Sequence, residues 1–520
     1  MDSVDATADA YAAAPLLNCL LREAAEPDGA VGRHRLRASG RLLRVHGGRR
    51  PERPQLYTAG GWRTLNHPEL LKLTCEELRL LTGVPNDELF SEMADSRAAV
   101  AALLTARAAA DPPRDPYLYS EQALVMGHPY HPAPKARGGA PAASWLPYAP
   151  EAHAGFPLAL LALREDQLVE EGGPDAAGPL DALAGPLGAP PLPAGYRLLP
   201  AHPWQLELTG ARRAFADGRL LDLGPSRVRA HPTASLRTVY LPEADLFLKF
   251  SLDVRITNDV RRLWRHDLLA LRRSDAAVTE AFAGLRARTG SPAAWLGDRG
   301  YRTAGFAFEE LAVLVRDGLG GRVRPGATPL LAAALAEGYP GSPLAAATDP
   351  AAWWNAYLRQ VVPPVLDLFA HGVVLEAHVQ NTLVAVDAAG LPVQALFRDA
   401  EGVKLLSGTP RAAGWQRLVY CLVVNHLTEI AAALAEQHPQ VAPQLWPAAR
   451  AAFLRHHAEH PLPEIPELLA APALPGKTNL LLRWTHADGA SARYLPLPNP
   501  LRDTGQGFDS GTDPDGRRSP

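Results

Sequence analysis

The sequence predicts an α+β protein with two to four domains. At 520 residues the chain is too long to fold around one hydrophobic core. Short alternating apolar runs separated by turn residues fill its middle and predict antiparallel hairpins. Helical and strand-rich regions that are separate in this way are typical of the α+β class. Helices are predicted at 4–25, 65–81, 86–110, 274–287, 329–337 and 351–370, and short strands at 31–45.

Charge and cysteine content exclude several classes of protein. The chain has 52 Lys and Arg against 55 Asp and Glu, a net charge of −3, so we expect neither nucleic-acid nor membrane-surface binding. The three cysteines are far apart and predict no disulfide framework or thiolate metal site. No secretory signal is visible and no run of ~18–20 apolar residues, the length of a membrane span, so we expect neither a secreted nor a membrane-spanning chain. We therefore expect a cytoplasmic protein.

The first cluster of chemistry runs from Ser235 to Arg261. Residues 239–241 and 246–252 predict two strands joined by a turn at 242–245. Lys249 lies within apolar sequence and needs an anionic partner, because burying an unpaired ammonium group is costly. An ordinary amphipathic hairpin whose lysine reaches solvent remains the alternative.

Thr257 is predicted to be a helix N-cap, with Arg261 one turn later on the same side. Arginine is the preferred bidentate partner of a carboxylate, so this pair is a candidate site for an acidic substrate. Ser235, Arg237 and Thr238 precede the hairpin and add hydroxyls and a cation. The whole stretch therefore predicts an anion-binding site.

A second cationic segment is the loop 127–139. Its prolines and glycines prevent regular structure and display His128, His131, Lys135 and Arg137 on a stiff loop. Such a loop can bind phosphates or a carboxylate. A solvated basic loop is the alternative.

A hairpin near residue 390 predicts a metal site. The runs TLVAV and VQALF flank a turn at 387–390, so antiparallel pairing places Asn381 beside Asp399. Glu401 falls on the same side as Asp399, and His378 can reach the same place. These oxygen ligands suit Mg²⁺, which keeps several waters and takes further ligands from phosphates. Polar residues that merely close a hairpin are the alternative.

Two other motifs are rejected. The segment 475–478 ends like a phosphate-binding loop but lacks the preceding strand and the required earlier glycine. His456 and His460 have helical metal-ligand spacing, but no third ligand is evident. The remaining clusters together predict a site for Mg²⁺, a nucleotide and a second, carboxylate-bearing substrate.

Four motifs carry a resemblance to a known family: GHPYHPAPKARGG, HPWQ, ASLRTVYLP…LKFSLDVRITNDVRR and EAHVQNTLV…FRDAEG. They span most of 120–405, in the family's order, and resemble the IucA/IucC family of NRPS-independent siderophore synthetases. The resemblance implies that ATP and Mg²⁺ activate a carboxylate of citrate or a related acid as an acyl-adenylate, releasing pyrophosphate. An amine or alcohol then displaces AMP.

The resemblance also implies a cupped-hand fold. It comprises a mostly helical thumb (1–115), fingers with an antiparallel sheet (116–318), a mostly helical palm (319–502) and a disordered tail (503–520). A homodimer is a further expectation. Family members with an iron-reductase-like terminus are rich in cysteine there, and this tail has none, so an iron-handling role is disfavoured.

By the same resemblance each motif residue receives a role. Arg237, Lys249, His378 and Arg261 are expected to be catalytic. The nucleotide would contact His128, His131, Lys135, Arg137, Ser235, Arg237, Thr238, Lys249, His378, Gln380 and Asn381. The acid would contact Thr257, Arg261, His378 and, on a weaker match, Lys477. Mg²⁺ would be held by Asn381, Asp399 and Glu401.

Two other functions remain open. An Asn before a hairpin and an Asp after it also occur among the metal ligands of kinases, but the kinase HRD and DFG triplets are absent. The non-enzymatic alternative is a module that binds nucleotide or citrate without turnover.

Overall fold

The computed structural model describes residues 3–172, 174–209, 211–257, 259–487 and 494–503. Helices and sheets are both well represented, which confirms the mixed α and β content. The predicted tail lies outside the described residues from 504 onward.

The N-terminal part pairs a five-stranded antiparallel meander with three helices. The predicted helices at 65–81 and 86–110 are confirmed, and Asn66 and Asn86 cap them with their side chains. The elements are α1 (Ser3–Ala24), β1 (Ala25–Pro27), β2 (Arg33–Leu36), β3 (Leu42–His46), β4 (Glu52–Thr58), β5 (Gly61–Thr64), α2 (His67–Thr82) and α3 (Asp87–Ala108).

The middle of the chain forms an eight-stranded sheet in which every neighbouring pair is antiparallel. In spatial order its strands are 168–172, 298–304, 313–317, 246–250, 238–241, 220–232, 156–164 and 196–201. The elements are α4 (Pro116–Glu121), α5 (Ala142–Trp145), β6 (Phe156–Arg164), β7 (Leu168–Gly172), α6 (Pro174–Ala182), β8 (Tyr196–Ala201), α7 (Pro203–Thr209), α8 (Arg212–Ala216), β9 (Leu220–Pro232), β10 (Thr238–Leu241), β11 (Leu246–Phe250), β12 (Arg255–Ile256), β13 (Asp259–Val260), α9 (Arg265–Thr289), β14 (Ala294–Leu296), β15 (Asp298–Ala304) and β16 (Val313–Asp317).

The hairpin predicted from the first cluster is confirmed as β10 and β11, with Thr238 opposite Lys249. The prediction of a helix that starts at Thr257 is wrong. Thr257 joins the two-residue strands β12 and β13 with a left-handed φ of 59°, and helix α9 begins only at Arg265. Arg255 pairs with Val260 and Ile256 with Asp259 as strands, so their backbone groups are not available for the hydrogen bonds of a helix.

The C-terminal part packs long helices on a four-stranded sheet whose strands, in spatial order, are 294–296, 392–398, 382–386 and 328–331. The predicted helix at 329–337 starts later, because 328–331 pair as a strand with 382–386. The elements are β17 (Thr328–Leu331), α10 (Ala332–Glu337), α11 (Pro350–Ala370), β18 (Val373–Val374), β19 (Thr382–Val386), β20 (Pro392–Arg398), β21 (Lys404–Leu405), α12 (Arg411–Leu418), a π-helix (Val419–Leu427), α13 (Thr428–Gln437), α14 (Ala442–Glu459), α15 (Glu464–Ala470), β22 (Ala473–Lys477), α16 (Asn479–Trp484) and β23 (Tyr494–Pro498).

One helical stretch, 411–437, is long and apolar enough to cross a membrane by composition alone. In the folded chain 72% of its most apolar window is buried inside the protein. It includes Leu422, Leu427 and Ile430, which belong to the large core under β19 and β20. The stretch is therefore explained as a core helix.

Helix α16 completes the N-terminal core although it lies near the other end of the chain. Leu480 and Trp484 are buried among the apolar residues of α1, α2 and α3. The backbone N–H groups of Leu480 and Leu481 donate to the Glu23 carboxyl on α1 at 3.0 and 2.8 Å. Burial raises the pKa of Glu23 from 4.5 to about 7, although these hydrogen bonds act against the rise.

The Glu23 carboxyl predicts a pH-dependent stability. Its pKa is higher in the folded chain than in the unfolded chain, so the stabilisation it gives at low pH is lost as pH rises through about 7. Between about pH 5 and 8 the free energy of unfolding of Glu23→Gln should change less than that of the wild type, by about 3 kcal/mol at most. Urea unfolding at each pH measures it. Glu26→Gln, which alters an exposed carboxylate nearby, should follow the wild type.

Candidate active site

The site is centred on Lys249, which β11 carries into the space between the two large sheets. Lys249 is 2% exposed, and its ammonium group donates to Asp399 Oδ1 at 2.7 Å and to Glu401 Oε2 at 2.8 Å. These two carboxylates follow β20, about 150 residues further along the chain. The first cluster and the predicted hairpin therefore meet, and Asp399 and Glu401 lie on one side as expected.

Two arginines complete this charged group. Arg237 donates to Glu401 Oε2 at 3.2 Å, and Arg316 donates to Asp399 Oδ1 at 3.2 Å. Burial alone would raise the pKa values of both carboxyls, but attraction to Lys249, with Arg316 at Asp399 and Arg237 at Glu401, outweighs it and lowers both. Both side chains are therefore ionised at neutral pH.

The backbone around Asp399 is held in an uncommon conformation. Its φ is 79°, a left-handed value that costs a non-glycine residue energy. Asp298 holds the next residue by accepting from the backbone N–H of Ala400 at 2.9 Å, and it also binds Arg316 at 2.6 Å. This network directs the Asp399 carboxylate toward Lys249.

The expected metal ligands form an all-oxygen set. β19 pairs with β20, and the backbone N–H of Arg398 donates to the backbone oxygen of Asn381 at 3.1 Å. This places Asn381 beside Asp399, as predicted. The Asn381 side-chain nitrogen donates to Glu376 at 3.5 Å, which leaves its oxygen for another partner. Asp399 Oδ2 and Glu401 Oε1 take no part in the bonds to Lys249.

These donors fit Mg²⁺ as part of its coordination shell. Within the described ranges, no three His, Cys, Asp or Glu side chains are grouped to hold a metal by themselves. Two ionised carboxylates and one amide oxygen match the preference of Mg²⁺ for oxygen, with phosphates and water supplying the rest.

His378 lies beside this group, with Nε2 4.0 Å from Glu376 Oε2. It is partly accessible to solvent, yet desolvation by the surrounding protein lowers its pKa, so the ring is neutral at pH 7. The buried His426 lies behind it in the π-helix. Its Nδ1 pairs with the carbonyl oxygen of Ala377 at 2.8 Å, and its Nε2 pairs with the hydroxyl of Tyr357.

Arg261 and Thr257 are brought together as expected, although not by a helix. Arg261 Nη2 donates to Thr257 Oγ1 at 2.6 Å, and the backbone oxygen of Arg261 accepts from Arg237 Nη1 at 3.1 Å. Desolvation, followed by the charge of Arg237, lowers the pKa of the half-buried Arg261, and together they outweigh the acidic groups Asp259, Glu401 and Asp399. In the described part of the chain its guanidinium forms no ion pair within 4 Å.

The loop 127–139 divides into two parts. Lys135 and Arg137 are buried and share the carboxylate of Glu151, with Arg137 Nη2 at 3.3 Å from Oε1. This ion pair stabilises the loop from inside. His128 is exposed, and its pKa is lowered by desolvation from the surrounding protein and by the nearby His378, Arg22 and Lys477.

The other predicted residues lie around the same cleft. The hydroxyls of Ser235 and Thr238 are 3.0 Å apart at the start of β10. The backbone oxygen of Gln380 accepts from Arg398 at 2.9 Å. His131 is buried and its Nδ1 accepts from the backbone N–H of Ala133.

Sequence reasoning missed three acidic residues that organise the cleft: Glu121, Glu376 and Asp298. Glu121 is fully buried, pairs with Arg398, and accepts from the backbone N–H of Ala234 beside Ser235. Glu376 is salt-bridged to Arg417 at 2.8 Å. Glu376 opens the motif EAHVQN and could have been noticed there, whereas Glu121 and Asp298 carry no local signal.

Two family models match the chain. Residues 116–337 match the IucA / IucC family, and residues 351–492 match a model described as ferric iron reductase FhuF-like transporter. The second segment contains one cysteine, Cys421. Iron–sulfur clusters are held by several cysteine thiolates, which this segment does not have.

Relatives cover most of the chain. It is 30% identical over 440 residues to the L-2,3-diaminopropanoate–citrate ligase of Staphylococcus aureus, covering 74% of this chain and 75% of that enzyme. It is also 30% identical over 450 residues to the rhizobactin siderophore biosynthesis protein RhbC of Rhizobium meliloti, covering 75% and 76%.

Solved structures agree with these matches. The ATP-bound aerobactin synthetase IucA of Klebsiella pneumoniae has a TM-score of 0.82 at 24% identity, over 95% of this chain and 99% of that one. At that identity the likeness shows a shared fold, and the relatives above carry the functional relationship. The chain belongs to the IucA/IucC family of NRPS-independent siderophore synthetases.

Proposed function

We propose that this chain uses ATP to adenylate a carboxylate of citrate or a related acid and joins it to an amine or alcohol. The observation that carries the proposal is Lys249, a buried cation that shares two ionised carboxylates with Arg237 and Arg316. Binding a nucleotide with its metal ion would supply phosphates to the cations and a cation to the carboxylates. Every charged side chain in the cluster would then bind either a phosphate or the metal ion during adenylation.

Asn381, Asp399 and Glu401 would hold Mg²⁺, which neutralises phosphate charge when it is bound. Arg237 and Lys249 would bind the phosphates, together with the hydroxyls of Ser235 and Thr238. They would stabilise charge at the α-phosphate as the acid's carboxylate attacks and pyrophosphate leaves. Neutral His378 would orient the acid at the same point.

The acid would be held by Thr257 and Arg261, with Lys477 from β22. Support comes from Arg261, which is half-buried, has no acidic ion-pair partner among the described residues, and accepts a hydrogen bond from Arg237 at its backbone oxygen. This arrangement places the acid next to the phosphate-binding residues. His128, Gln380 and the buried His131 would complete the nucleotide side of the cleft, while Lys135 and Arg137 would act by stabilising the loop.

We also propose the cupped-hand layout and the domain limits at 115, 318 and 502. The five-stranded sheet within 25–64 and the eight-stranded sheet within 156–317 support it. Cytoplasmic location and a homodimer stay predictions, which fractionation and sedimentation measurements would check. The single cysteine in the FhuF-like segment supports our assignment of no iron reduction to this chain.

Product analysis tests the proposed reaction. With citrate, ATP, Mg²⁺ and hydroxylamine as the acceptor, we expect AMP, pyrophosphate and a citryl hydroxamate in equal amounts. The formation of ADP would instead support the kinase-like phosphotransferase. Nucleotide binding with no hydroxamate from citrate, 2-oxoglutarate or succinate would support the binding module. Either result would overturn the proposal.

A further inference from the structure

Asp298 lies where the chain passes from one large sheet to the other. Just before it, residues 294–296 pair in parallel with the end of β20, with Leu296 opposite Arg398. From Asp298 onward the chain forms β15, which pairs with β16 in the eight-stranded sheet. The parallel register brings Asp298 level with Ala400, so this side chain, 1% exposed, lies beside the residue that follows Asp399.

The Asp298 carboxylate is bound by a guanidinium group and a backbone N–H. Its Oδ1 accepts from Arg316 Nε at 2.6 Å, and its Oδ2 accepts from Arg316 Nη2 at 3.1 Å. Such bidentate pairs are stronger and more directional than single hydrogen bonds. Oδ2 also accepts from the backbone N–H of Ala400 at 2.9 Å. Asp298 therefore holds both the Arg316 guanidinium and the backbone next to Asp399.

Arg316 has a second and less extensive contact, with Asp399. A single bond of 3.2 Å joins Arg316 Nη2 to Asp399 Oδ1, which Lys249 also reaches at 2.7 Å. Among the described residues both side-chain bonds to Asp399 end on Oδ1, so its Oδ2 stays available. Without Asp298, the guanidinium would be free to form a bidentate pair with Asp399 and to occupy Oδ2. Asp298 therefore competes with Asp399 for Arg316.

The charge balance of the cluster depends on Asp298 as well. Three cations face three carboxylates, and the six side chains are Arg237, Lys249, Arg316, Asp298, Asp399 and Glu401. Replacing Asp298 with a neutral residue leaves a positive charge in excess. Inside a protein such a charge repels a nearby divalent cation and attracts a nearby phosphate. Metal binding and nucleotide binding should therefore respond to Asp298 in opposite directions.

We propose that Asp298 is a positioning residue that sets the affinity of the site for Mg²⁺. It holds Arg316 through both of its oxygens and so keeps Asp399 Oδ2 available to the metal. The inference rests on the proposed function, in which Asp399 is a metal ligand. Both Asp298 oxygens are occupied, so Asp298 acts through Arg316 and the backbone of Ala400 and not as a ligand.

Replacing Asp298 with asparagine tests the proposal. Asparagine keeps an oxygen for the Ala400 N–H but loses the charge and one of the two oxygens that bind Arg316. Binding of α,β-methylene-ATP, which cannot release pyrophosphate, is measured by isothermal titration calorimetry in EDTA and in Mg²⁺. The gain in affinity that Mg²⁺ gives the wild type should fall by about 10-fold in Asp298→Asn. In EDTA the variant should bind the analogue at least as tightly as the wild type does.

Removing Arg316 together with the charge of Asp298 should reverse the loss. In the double variant Asp298→Asn/Arg316→Gln the competing guanidinium is absent and the charges balance again, so most of the Mg²⁺ gain should return. The matched control is Asp275→Asn. It alters another buried aspartate that binds an arginine, Arg299 at 2.9 Å, and it should keep the wild-type gain.

Equal weakening of analogue binding in EDTA and in Mg²⁺ would overturn the inference, because a residue that only supports the fold gives that result. An unfolded Asp298→Asn variant, an unchanged Mg²⁺ gain, or no recovery in the double variant would count against it equally. Hydroxylamine trapping by the wild type separates the two proposals. Absence of citryl hydroxamate would overturn the proposed function, whereas hydroxamate formation with an unchanged Mg²⁺ gain in Asp298→Asn overturns only this inference.

Discussion

Replacing Lys249 with methionine should lower the rate of citrate adenylation by about 10²–10³-fold, the range found when one preorganised charge-stabilising donor is removed. Methionine keeps most of the apolar stem of the side chain but leaves Asp399 and Glu401 without the ammonium group that both accept from. The loss should appear in kcat and in the KM of ATP, measured by pyrophosphate release at saturating citrate.

Stability must be followed in the same variant. Breaking a buried ion pair by removing one partner costs about 3–5 kcal/mol in the general case. Here the loss should be smaller, because Arg316 and Arg237 still reach the two carboxylates. Lys249→Arg, which retains the charge, is the control and should keep the thermal midpoint and part of the activity. A Lys249→Met enzyme that is folded and within threefold of the wild-type rate would exclude a phosphate-binding role.

Replacing Arg261 with alanine should raise the KM of the acid by about 10- to 100-fold and change the KM of ATP by less than about threefold. A charge-assisted hydrogen bond contributes roughly 1.5–3 kcal/mol, which gives this range. Arg261 is bonded to Thr257 and has no acidic ion-pair partner within the described chain, so its removal leaves no carboxylate uncompensated. Initial rates with each substrate varied in turn provide the measurement.

The control for Arg261→Ala is Arg272→Ala, an exposed arginine on α9 that should leave both KM values unchanged. Equal increases in the KM of ATP and of the acid would contradict the division of the cleft into a phosphate-binding and an acid-binding side. An unchanged KM for the acid would show that Arg261 does not bind the acid.

Local patterns in the sequence predicted the elements that carry the site. The period of two around Lys249 and the turn at 387–390 were sufficient to predict both hairpins, because strand pairing follows directly from them. The meeting of Asn381 with Asp399 followed from antiparallel register. The contact of Lys249 with Asp399 was not predicted, since 150 residues separate them, and the complementary chemistry of the two clusters indicated only that they share one site.

Where prediction failed, distant contacts decided the structure. The segment after Val254 has helix-forming signals, but pairing of β12 with β13 gives Thr257 a left-handed conformation. Lys135 and Arg137 resemble phosphate-binding cations in sequence, yet Glu151 folds back to bind both inside the protein. A carboxylate 14 to 16 residues away gives no periodic signal in the sequence.

Because α16 is part of the N-terminal core, this core cannot be completed until the C-terminal end of the chain has been synthesised. Trp484 donates to Thr82 Oγ1 across 402 residues of chain. At synthesis rates of roughly 5–20 residues per second, α1 and α2 must wait about 20–80 seconds for this partner. During that interval the apolar surface that receives Leu480 and Trp484 is exposed in the nascent chain. The N-terminal core is thus completed only after almost the whole chain has been synthesised.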